Sequence, residues 1–271
     1  MHEPASEAAS PEPPPTPRGP GSAAVTFLVS LVSNLTLVAS TVVLGVLASV
    51  VGWLPPRGRW MYLLARLWSR LLLASSGVRL EQSFESELDP RKGYVFMANH
   101  QSMYDIPVLI AGMPGRVCFM AKRSLFRIPI FGWSLAAGGF IPVDRGDREA
   151  ARETFSVAVK RLEEGASLLI FPEETRSDDG ELLPFKRGGV LLALRTGFPI
   201  VPVGICGTRH IRPKKSWLTV PGQVRVRYGA PIQVGDGALG RKRELTEQVR
   251  RDIERLIEPG AEDLSRGPGA R

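Results

Sequence analysis

From Ala23 to Leu54 the chain runs for 32 residues without a charged side chain, mostly Val, Leu, Ala, Ser and Thr. About 20 apolar residues are enough for a helix to cross the hydrocarbon core of a bilayer. The run is too long for the apolar region of a signal peptide, and the stretch before it is acidic and proline-rich rather than basic. A buried core helix fits this length poorly. The sequence therefore predicts a membrane-embedded helical segment over 23–54, as one tilted span or as a broken re-entrant pair.

The flanks differ. Residues 1–22 hold seven prolines, three glutamates and one arginine with no apolar period, so they cannot bury enough surface to offset their ordering entropy. A disordered tail is expected there, and a flexible C-terminal tail over 261–271. Before the apolar run Arg18 stands against Glu3, Glu7 and Glu12; after it come Arg57, Arg59, Arg66 and Arg70, with no acid before Glu81. If the segment spans, this bias puts the following domain on the cytoplasmic side. Residues 55–80 read as an amphipathic interfacial helix: Trp60, Leu63, Leu64, Leu67 and Leu71 recur at helical spacing beside Arg66 and Arg70. The alternative is an amphipathic helix packed on the domain, although Trp60, Tyr62 and Trp68 suit a headgroup region.

A formal net charge of +8 suits nucleic acid or anionic lipid equally well. Here the basic residues follow a hydrophobic anchor and no nucleic-acid motif is visible, so an anionic membrane surface and lipid phosphate are the expected partners, not nucleic acid. Cys118 and Cys206 each sit in an apolar run without metal-ligand spacing, which predicts reduced core thiols.

Within 81–260 short apolar strands alternate with helical patterns. Strands are expected over Tyr94–Ala98, Val117–Ala121, Phe140–Val143, Ser167–Phe171, Ile200–Ile205 and Val224–Tyr228. Helices are expected from Asp147, as N-cap, to Glu164, over Gly188–Thr196 and over Leu239–Ile257. That alternation predicts an α/β layered domain, a mostly buried mixed sheet flanked by helices.

The first strand ends in Asn99-His100-Gln101-Ser102-Met103-Tyr104-Asp105. Five residues along a continuous helix is about 500°, so His100 and Asp105 can meet only if the chain turns between them. A strand, a turn and a helix beginning near Ser102 allow it. Asp105 would then accept from one ring nitrogen and leave the other free to take a proton from a hydroxyl, the base and orienter of a triad whose nucleophile is the substrate. The plainer alternative is a strand end with a capping Ser102 and a solvated Asp105.

A second polar cluster, Phe171-Pro172-Glu173-Glu174-Thr175-Arg176-Ser177, follows another buried run. Arg176 offers a planar fork of N–H donors suited to phosphate; its alternative is a surface salt bridge to Glu173, Asp178 or Asp179. Together the clusters resemble the glycerolipid acyltransferase family, which includes the 1-acyl-sn-glycerol-3-phosphate acyltransferases. Asn99, His100, Ser102 and Asp105 match its first motif, and the second cluster matches six of seven positions of its third, F-P-E-G-T-R-S, with Glu174 in place of Gly. Lys122-Arg123-Ser124-Leu125 through Asp144-Arg145 look like its second motif and Ile200 to Ile205 like its fourth.

The resemblance implies acyl transfer from acyl-CoA or acyl carrier protein to the hydroxyl of a lysophospholipid, without a further cofactor. It implies His100 and Asp105 as catalytic, and Glu173, Thr175, Arg176, Lys122, Arg123, Asn99 and Ser102 as substrate-binding. Glu174 sets a negative charge beside the expected phosphate site, which motivates an alternative acceptor such as another lysolipid or an ornithine-lipid precursor. A non-catalytic lipid-binding protein of the same fold is the alternative from another class.

Overall fold

The computed structural model describes residues 20–51, 59–144, 148–235 and 238–258. Of the expected tails, 261–271 lies outside the described residues, as does 1–22 apart from its last three; so does Asp147, the expected N-cap.

Helix α1 (Pro20–Val51) is a single unbroken helix, and its Ala23–Val51 part is long and apolar enough to cross a membrane by length and composition. Its two sides are unlike. Ser30, Ser33, Ser40 and Ala48 are buried at near-heptad spacing, while Val25, Leu28, Leu35, Val42 and Val46 are exposed. The small side lies along the domain rather than standing clear of it. Helix α2 (Arg59–Ser75) turns its predicted apolar stripe outward: Trp60, Leu63, Leu67 and Leu71 are exposed while Met61, Leu72 and Leu73 are buried. Arg66 does not face outward with that stripe. Its guanidinium covers the Tyr62 ring and donates to the Met113 carbonyl at 2.5 Å, and Trp68 donates to Thr41 Oγ1 at 3.0 Å, so both residues join the helix to the protein.

The rest alternates strands and helices: β1 (Val78–Phe84), β2 (Val95–Ala98), α3 (Asp105–Gly112), β3 (Val117–Lys122), α4 (Phe131–Ala137), β4 (Ile141–Val143), α5 (Arg148–Glu163), β5 (Ser167–Ile170), α6 (Gly188–Thr196), β6 (Ile200–Cys206), α7 (Thr208–Ile211), β7 (Gly222–Tyr228) and α8 (Lys242–Ile257). The strands form one mixed seven-stranded sheet in the order β1-β7-β6-β2-β5-β3-β4, parallel except between β6 and β7. The six expected strands are present. Strand β1 was not expected: its first three residues lie in the stretch read as helix, so the sheet begins at Val78, three residues before the expected boundary, and β1 is an edge strand too polar to stand out as a buried run.

Successive strand residues face opposite layers. Phe96 and Ala98 pack with Leu72 of α2 and Val108 and Leu109 of α3, while Val95 and Met97 pack with Leu162 of α5, Leu192 of α6 and Val249 of α8. Helix α1 forms a further layer on α2 and α4. A Cβ at Gly45 would come within 2.8 Å of Ile130 Cγ2, so this approach depends on the glycine. Because β2, β5 and β3 run parallel and adjacent, the loops after Ala98, Ile170 and Lys122 leave the same edge of the sheet, where open α/β sheets bind ligands.

Candidate active site

The loop after β2 turns sharply and α3 starts at Asp105, three residues later than expected. His100 Nδ1 and Asp105 Oδ2 are 2.7 Å apart. With the carboxylate accepting, Nδ1 carries the proton and Nε2 is the free nitrogen. Asp105 is fully buried, and three more donors hold it in one orientation. The N–H groups of Gln101 and Ser102 donate to Oδ2 at 2.7 and 2.9 Å, and the Thr208 hydroxyl donates to Oδ1 at 2.5 Å. The Phe171 ring stacks on the imidazole, with centroids 4.1 Å apart and planes 17° from parallel. The solvated-aspartate alternative does not occur.

The loop after β5 grips the same turn from the other side. The His100 N–H donates to Glu173 Oε1 at 2.7 Å, and the Ser177 N–H donates to the His100 carbonyl at 2.9 Å. Glu173 Oε2 accepts from the Leu183 N–H at 2.9 Å, so this buried carboxylate ties three backbone segments together and does not pair with Arg176. Burial pushes the Glu173 carboxyl up from its ordinary range; the N–H groups of Leu183 and His100 pull the other way. Glu174 adopts φ +58°, the left-handed region that favours glycine, and its side chain is exposed. The turn here has the geometry of the glycine that the motif carries, and a glutamate adopts it at a cost of about 1–2 kcal/mol.

Arg176 is half-buried and its guanidinium has no side-chain partner among the described residues. The acids that offered it a salt bridge are engaged elsewhere: Glu173 by the N–H groups above, Asp178 by Lys214 Nζ at 2.8 Å, and Asp179 by the Ser177 hydroxyl at 2.8 Å. Thr175 is exposed, and Lys122 is exposed at the end of β3. Arg123, beside it, pairs with Asp144 at 2.5 Å, so its charge is already matched.

Asn99 and Ser102 serve the scaffold. The Asn99 amide exchanges two hydrogen bonds with the Ile205 backbone, at 2.9 and 2.7 Å, which extends the β2–β6 ladder by one side chain. The Ser102 hydroxyl donates to the Arg212 carbonyl at 2.7 Å and accepts from the Tyr104 N–H at 3.2 Å. Both residues are fully buried and bonded to backbone, unlike the exposed Thr175 and Lys122. Thr208 is the residue that sequence reasoning missed. It lies 103 positions from Asp105, and only the adjacency of β2 and β6 brings them together. Cys118 is buried and Cys206 half-buried, both free thiols.

The acyltransferase family model matches residues 79–206, from β1 to the end of β6, which includes both loops. A 1-acyl-sn-glycerol-3-phosphate acyltransferase of Pseudomonas aeruginosa is 31% identical over 210 residues, 75% of this chain and 80% of that relative. The chain belongs to this acyltransferase family. Another member, a chloroplastic 1-acyl-sn-glycerol-3-phosphate acyltransferase of Brassica napus, is 33% identical over 177 residues, 65% of this chain. The alignment spans only about half, 51%, of that relative's length. The crystal structure of the 1-acyl-sn-glycerophosphate acyltransferase PlsC of Thermotoga maritima superposes on this family member with a TM-score of 0.75 at 25% identity, covering 92% of this chain and 99% of that one. The layered mixed sheet is thus the fold of a solved acyltransferase.

Proposed function

We propose that this chain transfers a fatty acyl group from the thioester of coenzyme A or acyl carrier protein to the sn-2 hydroxyl of 1-acyl-glycerol 3-phosphate, forming phosphatidic acid. The observation that carries the reading is the 2.7 Å contact between His100 Nδ1 and Asp105 Oδ2, with Nε2 left free. The names of the relatives support the acceptor class.

In this reading Nε2 removes the proton of the acceptor hydroxyl as its oxygen attacks the thioester carbonyl carbon. The tetrahedral adduct collapses, the C–S bond breaks, and the imidazolium returns its proton to the departing thiolate. Asp105 keeps the ring in the productive tautomer throughout. The scheme calls for no cofactor beyond the acyl donor, since a thioester is already activated. Arg176 takes the acceptor's phosphate as a bidentate charge-assisted partner, with Lys122 on the neighbouring strand end as a second cation. The exposed apolar sides of α1 and α2 meet lipid; if α1 spans the bilayer, the arginines after the apolar run favour the cytoplasmic side for the catalytic domain.

The test is acyl transfer by detergent-solubilised full-length protein against a panel of lyso acceptors with phosphomonoester, phosphodiester and amino-acid headgroups. Preference for the phosphomonoester is expected; its absence would move the acceptor assignment to another lysolipid. His100→Ala should lower the rate about 10²–10⁴-fold. Near-normal transfer by that variant would overturn the mechanism.

A further inference from the structure

The loop Arg212–Val220, between α7 and β7, plays no part in the scheme above, yet it presents Trp217 at 53% and Leu218 at 39% exposure. These side chains extend another apolar surface. The Trp217 ring meets Phe27 of α1 edge-on, with centroids 5.8 Å apart and planes at 86°, and Phe27 is itself 56% exposed. The loop backbone is fastened to α1 as well: Asn34 Nδ2 donates to the Trp217 carbonyl at 3.1 Å, and the Thr219 N–H donates to Ser30 Oγ at 2.8 Å. The apolar edge of the loop is therefore continuous with the outer face of α1 formed by Phe27, Leu28 and Leu31.

Cations flank that edge. Lys214 pairs with Asp178 and also donates to the Arg176 carbonyl at 2.9 Å. Lys215 is exposed and held at φ +66°, with no side-chain hydrogen bond or ion pair among the described residues; the nearby charge of Asp178, which pairs with Lys214, reaches it only at longer range. An amphipathic aromatic ring next to an exposed lysine fits the headgroup layer, where Trp is enriched and Lys gains from anionic lipid.

We propose that this loop is a membrane contact in its own right: Trp217 and Leu218 enter the interfacial layer of an anionic bilayer beside α1, and Lys215 meets its headgroups. This rests on the reading of α1 as lipid-facing. The loop is one hydrogen bond from each half of the candidate site, through the Arg212 carbonyl to Ser102 and through Lys214 to Arg176. Its seating on the leaflet sets the entrance to that site against the surface from which a lipid acceptor arrives.

The test uses full-length protein with phosphatidylcholine vesicles, with and without phosphatidylserine, whose acyl chains carry bromine as a tryptophan quencher. Wild type and Trp217→Phe should bind equally well to within a few-fold, and the wild type should lose additional fluorescence that the variant does not. Lys215→Gln should weaken binding about fivefold on phosphatidylserine vesicles, the factor one lysine contributes near an anionic leaflet, and leave phosphatidylcholine binding unchanged. Vesicle-bound wild type and Trp217→Phe with identical quenching would overturn the proposal while leaving α1 as a lipid contact. Wild type that binds neither vesicle would overturn both.

Discussion

The two loops that build the candidate site are constructed in opposite ways. In the loop after β2 the functional polar groups are all engaged except Nε2 of His100: Asp105 receives four donors, and the imidazole is stacked and tethered. In the loop after β5 Glu173 is locked in the same manner, but Thr175 and Arg176 reach outward with no side-chain partner among the described residues. The difference is in keeping with the tasks proposed for each loop. A general base works only if its tautomer and direction are set before the substrate arrives, because reorganisation would add to the barrier. A cation meant for a ligand's phosphate loses affinity if it must first leave an internal ion pair, so it is best left unpaired.

The largest effect should come from breaking the locked loop. Asp105→Asn would present an amide NH₂ to a site made of donors and favour the wrong tautomer, lowering kcat up to about 10⁴-fold. Turnover that stays untouched would reduce Asp105 to a structural role at the start of α3. Changing the open loop should look different. Arg176→Ala should raise the acceptor's KM about 10–100-fold, as expected for a lost charged hydrogen bond, and leave the donor's KM in place. Lysine at 176 should recover part of the loss, since a point charge cannot reproduce the fork. Equal changes in both Michaelis constants would shift the phosphate site toward Lys122, because Arg123 is held by Asp144.

A smaller effect tests whether the four donors on Asp105 act together. Thr208→Val removes one and leaves a buried carboxylate oxygen without a partner, which should lower kcat about tenfold with little change in either KM. Thr208→Ser should restore most of it; if Val and Ser behave alike, the hydroxyl does not position Asp105. The smallest effect lies away from both loops. Glu85, at the end of β1, accepts from Arg255 of α8 through both guanidinium nitrogens, and that contact holds its carboxyl below the ordinary 4.5. A depressed carboxyl stabilises above its ordinary value and loses the contribution as pH falls through the lower folded value. Arg255→Gln should therefore cost less than about 1 kcal/mol at neutral pH, as for a solvated pair, and nothing in strong acid, measured by denaturant unfolding at both pH values. A loss that persists in acid would mean Arg255 acts by packing.

The H-x4-D spacing permitted the contact, because the chain can turn within five residues, but it was the resemblance to the acyltransferase motif that favoured it over a capping Ser102 and a solvated Asp105. Glu174 was legible only in part. A charge beside a proposed phosphate site was visible as a conflict, whereas the left-handed backbone that explains the motif's glycine and the exposure of the side chain appear only in the fold. The spacing in α2 left a lipid-facing and a domain-packed helix both open; in the fold Trp60, Leu63, Leu67 and Leu71 are exposed while Arg66 and Trp68 on the same helix turn inward to Met113 and Thr41.

By itself the sequence determined the uncharged helix and the alternation of buried strands with helices. Both depend on composition or on spacing within a few turns of chain, where chemistry and backbone geometry leave few choices. Tertiary structure alone decided that Thr208 reaches Asp105 across 103 residues, that the Asn99 and Ser102 side chains bond to backbone, and that Glu173, Asp178 and Asp179 each have a partner other than Arg176. Those outcomes depend on which strands become neighbours, and the placement of β2 between β5 and β6 is settled by burial of the whole sheet rather than by any local signal.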